Sequence, residues 1–146
     1  MLDDIHDFDL LFWFADFSPV KTSHIFTSKL SNLDIDVEDI CNALFQFQNG
    51  IIGNVRCNYL EQYKHKEIKI VGEKGSILWD FRGNAVWFES MKKSRESRRK
   101  IFRGAPADDE RSYFQELKYF FSCLENRRST FNDVSMAFQT LKSIKK

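Results

Sequence analysis

The stretch from Ile40 to Asp80 constrains this chain most, because it holds four strand-like runs with almost nothing between them. Ile40 to Gln48 (ICNALFQFQ) is rich in apolar and aromatic residues. Asn49-Gly50 then supplies a dipeptide that tolerates positive φ in a two-residue hairpin loop, and Ile51 to Tyr59 (IIGNVRCNY) runs back. Glu67 to Val71 (EIKIV) meets Gly72-Glu73-Lys74-Gly75, a second tight turn, and Ser76 to Phe81 (SILWDF) follows. Connections this short force antiparallel neighbours, since a parallel pair needs a crossover of about a dozen residues or more. A sheet therefore organises the fold. Alternation about Asn49-Gly50 is expected to set Phe45, Phe47 and Ile52 on one side of it.

The flanks supply helices. Leu2 to Phe14 places Ile5, Phe8, Leu11 and Phe12 on a stripe widened by Leu10, Trp13 and Phe14, which predicts a helix buried over more than half its circumference. Ala15 to Pro19 breaks it, and the β-branched residues of Val20 to Leu30 predict a first strand. Ser31 to Asp39 is an acidic loop without the central Gly and terminal Glu of a calcium-binding loop, so no metal is expected there. Ala85 to Met91 reads as a fifth strand of the meander, and the basic run Lys92 to Lys100 as a solvated hairpin tip rather than a phosphate contact. Asp108-Asp109-Glu110 opens a helix carrying Phe114, Leu117, Phe121 and Leu124 at helical spacing, with Arg127 and Arg128 at its end. A last helix from about Asn132 has Val134, Ala137, Phe138, Leu141 and Ile144 on one face.

The expected fold class is α+β: an open, mostly antiparallel sheet with helices packed on one face. Helices drawn from the two chain ends cover only one side. The other side, with Phe45, Phe47 and Ile52, is expected to meet a partner, most simply a second copy of the chain.

Composition bounds what this fold is used for. A length of 146 residues with 42% hydrophobic content suits one domain, 1–146, with a real core. A net charge of +1 removes any global attraction to nucleic acid or an acidic membrane. Cys41, Cys57 and Cys123 show no CxxC spacing, which argues for a reduced, cytoplasmic setting without structural zinc. No apolar run reaches the ~18 residues of a spanning helix, and Met1-Leu2-Asp3-Asp4 lacks the positive start of a signal peptide. Nor does any GxSxG, P-loop or GxGxxG occur.

On an otherwise apolar helix, one stretch is dense in ionisable groups: Asp3-Asp4-Ile5-His6-Asp7-Phe8-Asp9. Asp3 and His6, three apart, are neighbours on one helical face, and a carboxylate beside an imidazole fixes its tautomer for proton transfer. On the residues alone, a structural or simply exposed His6 remains the alternative.

These segments resemble one family. Leu2-Asp3-Asp4-Ile5-His6-Asp7-Phe8-Asp9-Leu10-Leu11-Phe12-Trp13 resembles the D-x-x-H-E-x-D-L-x-x-W segment that opens the C-terminal domain of the Gfo/Idh/MocA oxidoreductases, named for glucose-fructose oxidoreductase and inositol dehydrogenase. Asp36-Val37-Glu38-Asp39 with Ala43 to Gly50 is similar to the family's "DVED…A-L-x-F-x-N-G". Val71 to Asp80 is similar to "G-x-x-G-x-I-x-W-D", and Tyr113 to Phe120 to "Y-x-x-E-L-x-x-F".

The resemblance implies an open sheet whose bare face forms a subunit interface, and a substrate cleft shared with a nucleotide-binding domain. It implies that Asp3 and His6 serve substrate binding and proton transfer while NAD or NADP exchanges hydride with a sugar or polyol carbon. With less support it places Tyr59 in the cleft lining. The family's Rossmann domain, with its Gly-rich loop and Glu-Lys-Pro motif, has no counterpart in these residues. The expectation is therefore that this chain alone binds no NAD(P), and that it is half of an oxidoreductase, either a fragment or a subunit completed by a separate Rossmann-domain chain. The alternative is a non-catalytic assembly module that keeps only the sheet interface.

Overall fold

The computed structural model describes residues 5–63, 65–90, 98–104 and 111–144. Its contacts divide into two compact units, one formed by residues up to Glu61 with those from Arg127 onward, the other by Gln62–Asn126.

The first unit holds helix α1 (Ile5–Phe14), strands β1 (Val20–Ser28), β2 (Ile40–Phe47) and β3 (Ile52–Asn58), and a helix near the chain end, Val134–Ile144. The strands form an antiparallel sheet in the order β1-β2-β3. Ring packing joins α1 to it: Phe8 and Phe12 meet Phe45 edge-on at centroid distances of 6.2 and 5.5 Å, and Phe12 meets Phe47 at 5.2 Å. All four rings are buried, and Ala43, Val55 and Cys41 complete the core with Ala15 and Ile144. Gly53 lets the helix come close, because a Cβ there would run into Leu11 Cδ1. After α1 the chain turns through Asp16 and Phe17, at φ of 54° and 47°, which ends the helix before Pro19 as the sequence predicts.

The β2–β3 hairpin corrects one expectation. Its loop has three residues, not two: the Phe47 N–H donates to the Ile51 carbonyl (2.9 Å) and the Gly50 N–H to the Phe47 carbonyl (3.1 Å). In this loop only Gly50, at φ 90°, takes positive φ, as in a turn followed by a glycine bulge. The extra residue shifts the pairing by one, to Gln46 opposite Ile52 and Phe45 opposite Gly53. A shift of one residue moves every side chain to the other face. Ile52, 67% exposed, therefore lies on the opposite side from Phe45 and Phe47, whose contacts with Phe8 and Phe12 set them on the covered face, against α1. The bare face consists of Thr22, His24 and Phe26 on β1, Asn42, Leu44 and Gln46 on β2, and Ile52, Asn54 and Arg56 on β3.

The second unit contains β4 (Glu67–Gly72), β5 (Gly75–Asp80), β6 (Ala85–Ser90) and β7 (Arg98–Arg103), an antiparallel meander in sequence order, and α2 (Arg111–Glu125). The α+β class and the antiparallel pairing agree with the sequence, but the single sheet becomes two. Residues 59–66 separate β3 from β4, which end up in different sheets. Residues 91–97 of the basic region lie outside the described residues, whereas Arg98, Arg99 and Lys100 belong to β7 rather than to a hairpin tip. There Arg98 and Lys100 each stand 4.5 Å from the Trp87 ring centre and Arg99 5.4 Å from Phe88, while Arg98 also pairs with Glu89 at 3.7 Å. Cations over aromatic faces are held within their own sheet. Asp108-Asp109-Glu110, the expected start of α2, also lies outside the described residues.

The final helix, α3 (Val134–Ile144), is preceded by Asp133. Its carboxylate accepts from the N–H groups of Ser135 (2.9 Å) and Met136 (3.0 Å) and from the Ser135 hydroxyl (2.6 Å), a side-chain cap on the first turn. First the Ser135 hydroxyl and then the Met136 N–H hold that carboxyl below its usual range.

Candidate functional site

Three residues carry the sequence-based expectation: Asp3, His6 and Tyr59. Asp3 lies outside the described residues, so its pairing with His6 does too. His6 stands exposed in the first turn of α1, on the side away from Phe8 and Phe12. Tyr59 follows β3 directly. Its N–H donates to the Asp39 carbonyl at 3.0 Å, which continues the β2–β3 ladder one pair past the strands, and its side chain is part-exposed at 38%.

The acidic character of α1 has a second use that the sequence did not single out. Asp9 Oδ1 accepts from the Thr140 hydroxyl (3.1 Å) and Asp9 Oδ2 from Asn132 Nδ2 (3.0 Å), so this carboxylate ties α1 to α3 and to the loop before it. Gln139 Nε2 donates to the Phe17 carbonyl at 2.7 Å, and Asn49 Nδ2 to the Ala15 carbonyl at 2.9 Å. The helix that bears His6 is thus fixed by polar bonds at its middle and just past its end as well as by its buried rings.

Asp39 is the residue that sequence reasoning passed over. Read as the end of an acidic loop, it is one of the most deeply buried polar side chains described. It accepts from the N–H groups of Leu30 (2.8 Å) and Ser31 (2.7 Å), with Lys29 Nζ 3.8 Å away. The Ser31 hydroxyl first, then the Leu30 N–H, hold its carboxyl down to about 2. A buried carboxylate that accepts several N–H bonds stays ionised because the neutral acid would forfeit them. Asp39 therefore pins the chain where it leaves β1 to the start of β2, while its backbone fixes Tyr59. The available signal was position: the last acid of an acidic loop, immediately before a buried strand.

Tyr59, Asp39 and Glu38 line one shallow depression with Ile40, Cys41, Cys57 and Asn58. Beside it, Asn58 Oδ1 accepts from the N–H groups of Leu60 (2.9 Å) and Glu61 (3.0 Å), and Arg56 pairs with Glu61 at 3.3 Å. Among the described residues, no group of three or more His, Cys, Asp or Glu is placed to hold a metal ion. No described helix is long and apolar enough to cross a membrane.

Comparison with known proteins agrees with this architecture. Residues 4–78 match the family model described as GFO/IDH/MocA C-terminal domain. A UDP-N-acetylglucosamine 3-dehydrogenase from Acidithiobacillus ferrooxidans superposes with a TM-score of 0.77 at 16% identity, over 95% of this chain and 42% of that one. The WlbA dehydrogenase from Bordetella pertussis, solved with NADH and UDP-GlcNAcA, gives 0.64 at 23% identity, over 97% of this chain and 39% of that one. An aldose-aldose oxidoreductase from Caulobacter crescentus, complexed with glycerol, gives 0.70 at 17% identity, over 96% and 41%. The chain thus spans about two fifths of the length of these relatives. No curated protein sequence matches it.

Proposed function

The chain belongs to the Gfo/Idh/MocA C-terminal domain family, and from that premise we propose that it is the substrate-binding and subunit-association domain of an NAD(P)-dependent sugar or polyol oxidoreductase. The family match over residues 4–78, which spans α1, the whole first sheet and the Asp39–Tyr59 junction, is the observation that carries this reading. The structural relatives, nucleotide-sugar dehydrogenases and an aldose-aldose oxidoreductase, support the substrate class.

In this reading a Rossmann domain, supplied by a separate chain or by residues outside this sequence, holds the NAD or NADP, and the present chain alone holds neither. The cofactor takes up or delivers hydride. His6, oriented by Asp3, exchanges a proton with the substrate hydroxyl on the same carbon. Tyr59 offers a ring and a hydroxyl to the sugar at the end of β3. The exposed apolar residues Phe26, Leu44 and Ile52 of the bare sheet face make it the association surface between copies. The same face supports the alternative of a non-catalytic assembly module, and the two readings differ in what His6 does.

Fusion to, or mixing with, a Rossmann domain of this family tests the proposal. Reduction of NAD(P) is expected with a sugar, polyol or nucleotide-sugar substrate. His6→Ala is expected to lower turnover about a hundredfold or more with an unchanged melting temperature. Unchanged turnover in His6→Ala would remove the catalytic assignment and leave the assembly module. Titration calorimetry of the chain alone is expected to show no NAD(P) binding. Light scattering at a stated concentration should find a dimer or larger, which Ile52→Glu dissociates; a monomeric parent chain refutes the association role.

A further inference from the structure

We propose that Cys41 and Cys57 form a dithiol site on the β2–β3 ladder that reacts with low-molecular-weight disulfides and closes to a reversible cross-strand disulfide. The two residues are direct partners across the strands, and both are thiols in the structure. The ladder's backbone bonds fix what kind of pair they are. Phe47 bonds to Ile51 at 2.9 Å and Tyr59 to Asp39 at 3.0 Å, and hydrogen-bonded pairs recur at every second position of an antiparallel ladder. Cys41 and Cys57 fall on that same parity, so they are a hydrogen-bonded pair.

Cα atoms of such a pair stand about 5.5 Å apart, inside the span of roughly 4.4–6.8 Å that disulfides bridge. Both side chains leave the sheet on its covered face, where Cys41 belongs to the core and Cys57 packs against it. Opposed Cβ atoms, however, lie up to about 5.5 Å apart, and a disulfide draws them to about 3.8 Å. The closed form therefore tightens the ladder, and strained disulfides are the easily reduced ones. This geometry suits a bond that opens and closes, not a permanent staple.

Exposure orders the steps. Cys57 is part-exposed, whereas Cys41 is 3% exposed, and both line the depression beside Tyr59. Cys57 loses its proton and attacks one sulfur of the small disulfide. That S–S bond breaks, and the departing thiolate takes up a proton. Cys41 then loses its proton, attacks Cys57 Sγ and expels the second small thiol. Two protein thiols are oxidised to one disulfide, and one small disulfide is reduced to two thiols. The next hydrogen-bonded pair along the ladder is Asp39 with Tyr59, so closure acts on the strands that position the candidate substrate residue. The exchange itself requires neither NAD(P) nor sugar, and its failure leaves the oxidoreductase reading untouched.

The test is to incubate the full chain with glutathione disulfide, quench it in acid, and read the intact mass and the alkylated peptides. The expected product has lost two hydrogens, links the peptides of Cys41 and Cys57, leaves Cys123 open to alkylation after denaturation, and reverts under dithiothreitol. Cys123→Ser should close in the same way, and Cys57→Ser should give no intramolecular product. Phenylarsine oxide, which needs two neighbouring thiols, should be retained by the parent chain and by Cys123→Ser and lost from Cys57→Ser. An unreactive chain, a glutathione adduct on Cys57 as the end product, a linkage through Cys123, or equal arsenical retention by Cys57→Ser would each overturn the proposal.

Discussion

Helices α1 and α2 carry similar kinds of residue and meet opposite fates. In α1, Phe8 and Phe12 are fully buried against Phe45 and Phe47. In α2, the stripe of Phe114, Leu117, Phe121 and Leu124 that marks it as amphipathic stands in solvent, each residue more than half exposed, and only Cys123 of that helix is buried. Periodicity states that a face needs cover. It does not state that the cover lies in the same chain. The two helices illustrate that distinction: α1 packs into the core of its own unit, whereas the α2 stripe is exposed.

The strongest way to break this comparison is at the ring cluster. Phe45→Ala removes a fully buried ring that touches both Phe8 and Phe12, and is expected to cost about 3–5 kcal/mol. That is a large share of the roughly 5–15 kcal/mol that holds a domain folded. Urea titration followed by tryptophan fluorescence and circular dichroism should find the first unit unfolded or nearly so. A midpoint close to that of the parent chain would mean that α1 does not depend on the rings of β2.

A smaller effect is expected at Gly53, where the backbone of β3 meets α1. An added Cβ runs into Leu11 Cδ1, with Leu11 Cγ at 3.2 Å, and overpacking of this kind costs about 1–3 kcal/mol. Leu11→Ala makes room. The double variant Gly53→Ala with Leu11→Ala should therefore be less destabilised than the sum of the single changes. Strict additivity of the urea midpoints would place the clash elsewhere.

Asp39 contributes in a pH-dependent way. Its carboxyl titrates at about 2 in the folded chain against an ordinary 3.8, so between these values the unfolded chain binds more protons. Its stabilising effect is complete above the ordinary value and is lost as pH falls through about 2. Asp39→Asn should lower the melting temperature at neutral pH and shrink the fall of melting temperature across that acid window. An unchanged acid slope would show that the bonds from Leu30 and Ser31 do not depend on the charge.

The sequence conveyed type and order more reliably than facing. The strands other than β7, their antiparallel pairing and the turn at Glu73-Lys74 were legible because β-branched runs and glycines act locally. That Ile52 faces away from the side of Phe45 and Phe47 was not, because one extra loop residue at Gln48 inverts the parity and nothing in Asn49-Gly50 distinguishes the two loops. For α3, Val134, Phe138 and Leu141 of the expected apolar face are exposed. Of that face only Ile144 is buried, and Thr140 is buried with it, since Asp9 and Phe17 draw the polar residues Thr140 and Gln139 inward. Hydrogen bonds between helices distant in sequence leave no periodic trace. At the candidate site, the sequence supplied the residue type of Asp39 but not its role, which arises from bonds to residues eight and nine positions earlier.

The smallest expected effect sharpens the comparison most. Phe121 is as apolar as Phe12, but 57% of its surface is exposed in α2. Substitution by Ala removes little that folding had buried, so stability should change by no more than about 0.5 kcal/mol, the usual range for surface positions. Alanine also has the higher helix propensity, which acts in the opposite direction to any lost contact with Phe120, whose ring centre lies 5.9 Å away. Urea midpoints of Phe121→Ala and Phe12→Ala, measured on the same chain under the same conditions, give the contrast directly. A large loss for Phe12→Ala and almost none for Phe121→Ala would establish that the α2 stripe is surface in the isolated chain. Equal losses would show that α2 finds cover within the chain or in a second copy, and dilution separates these two because only cover by a second copy depends on concentration.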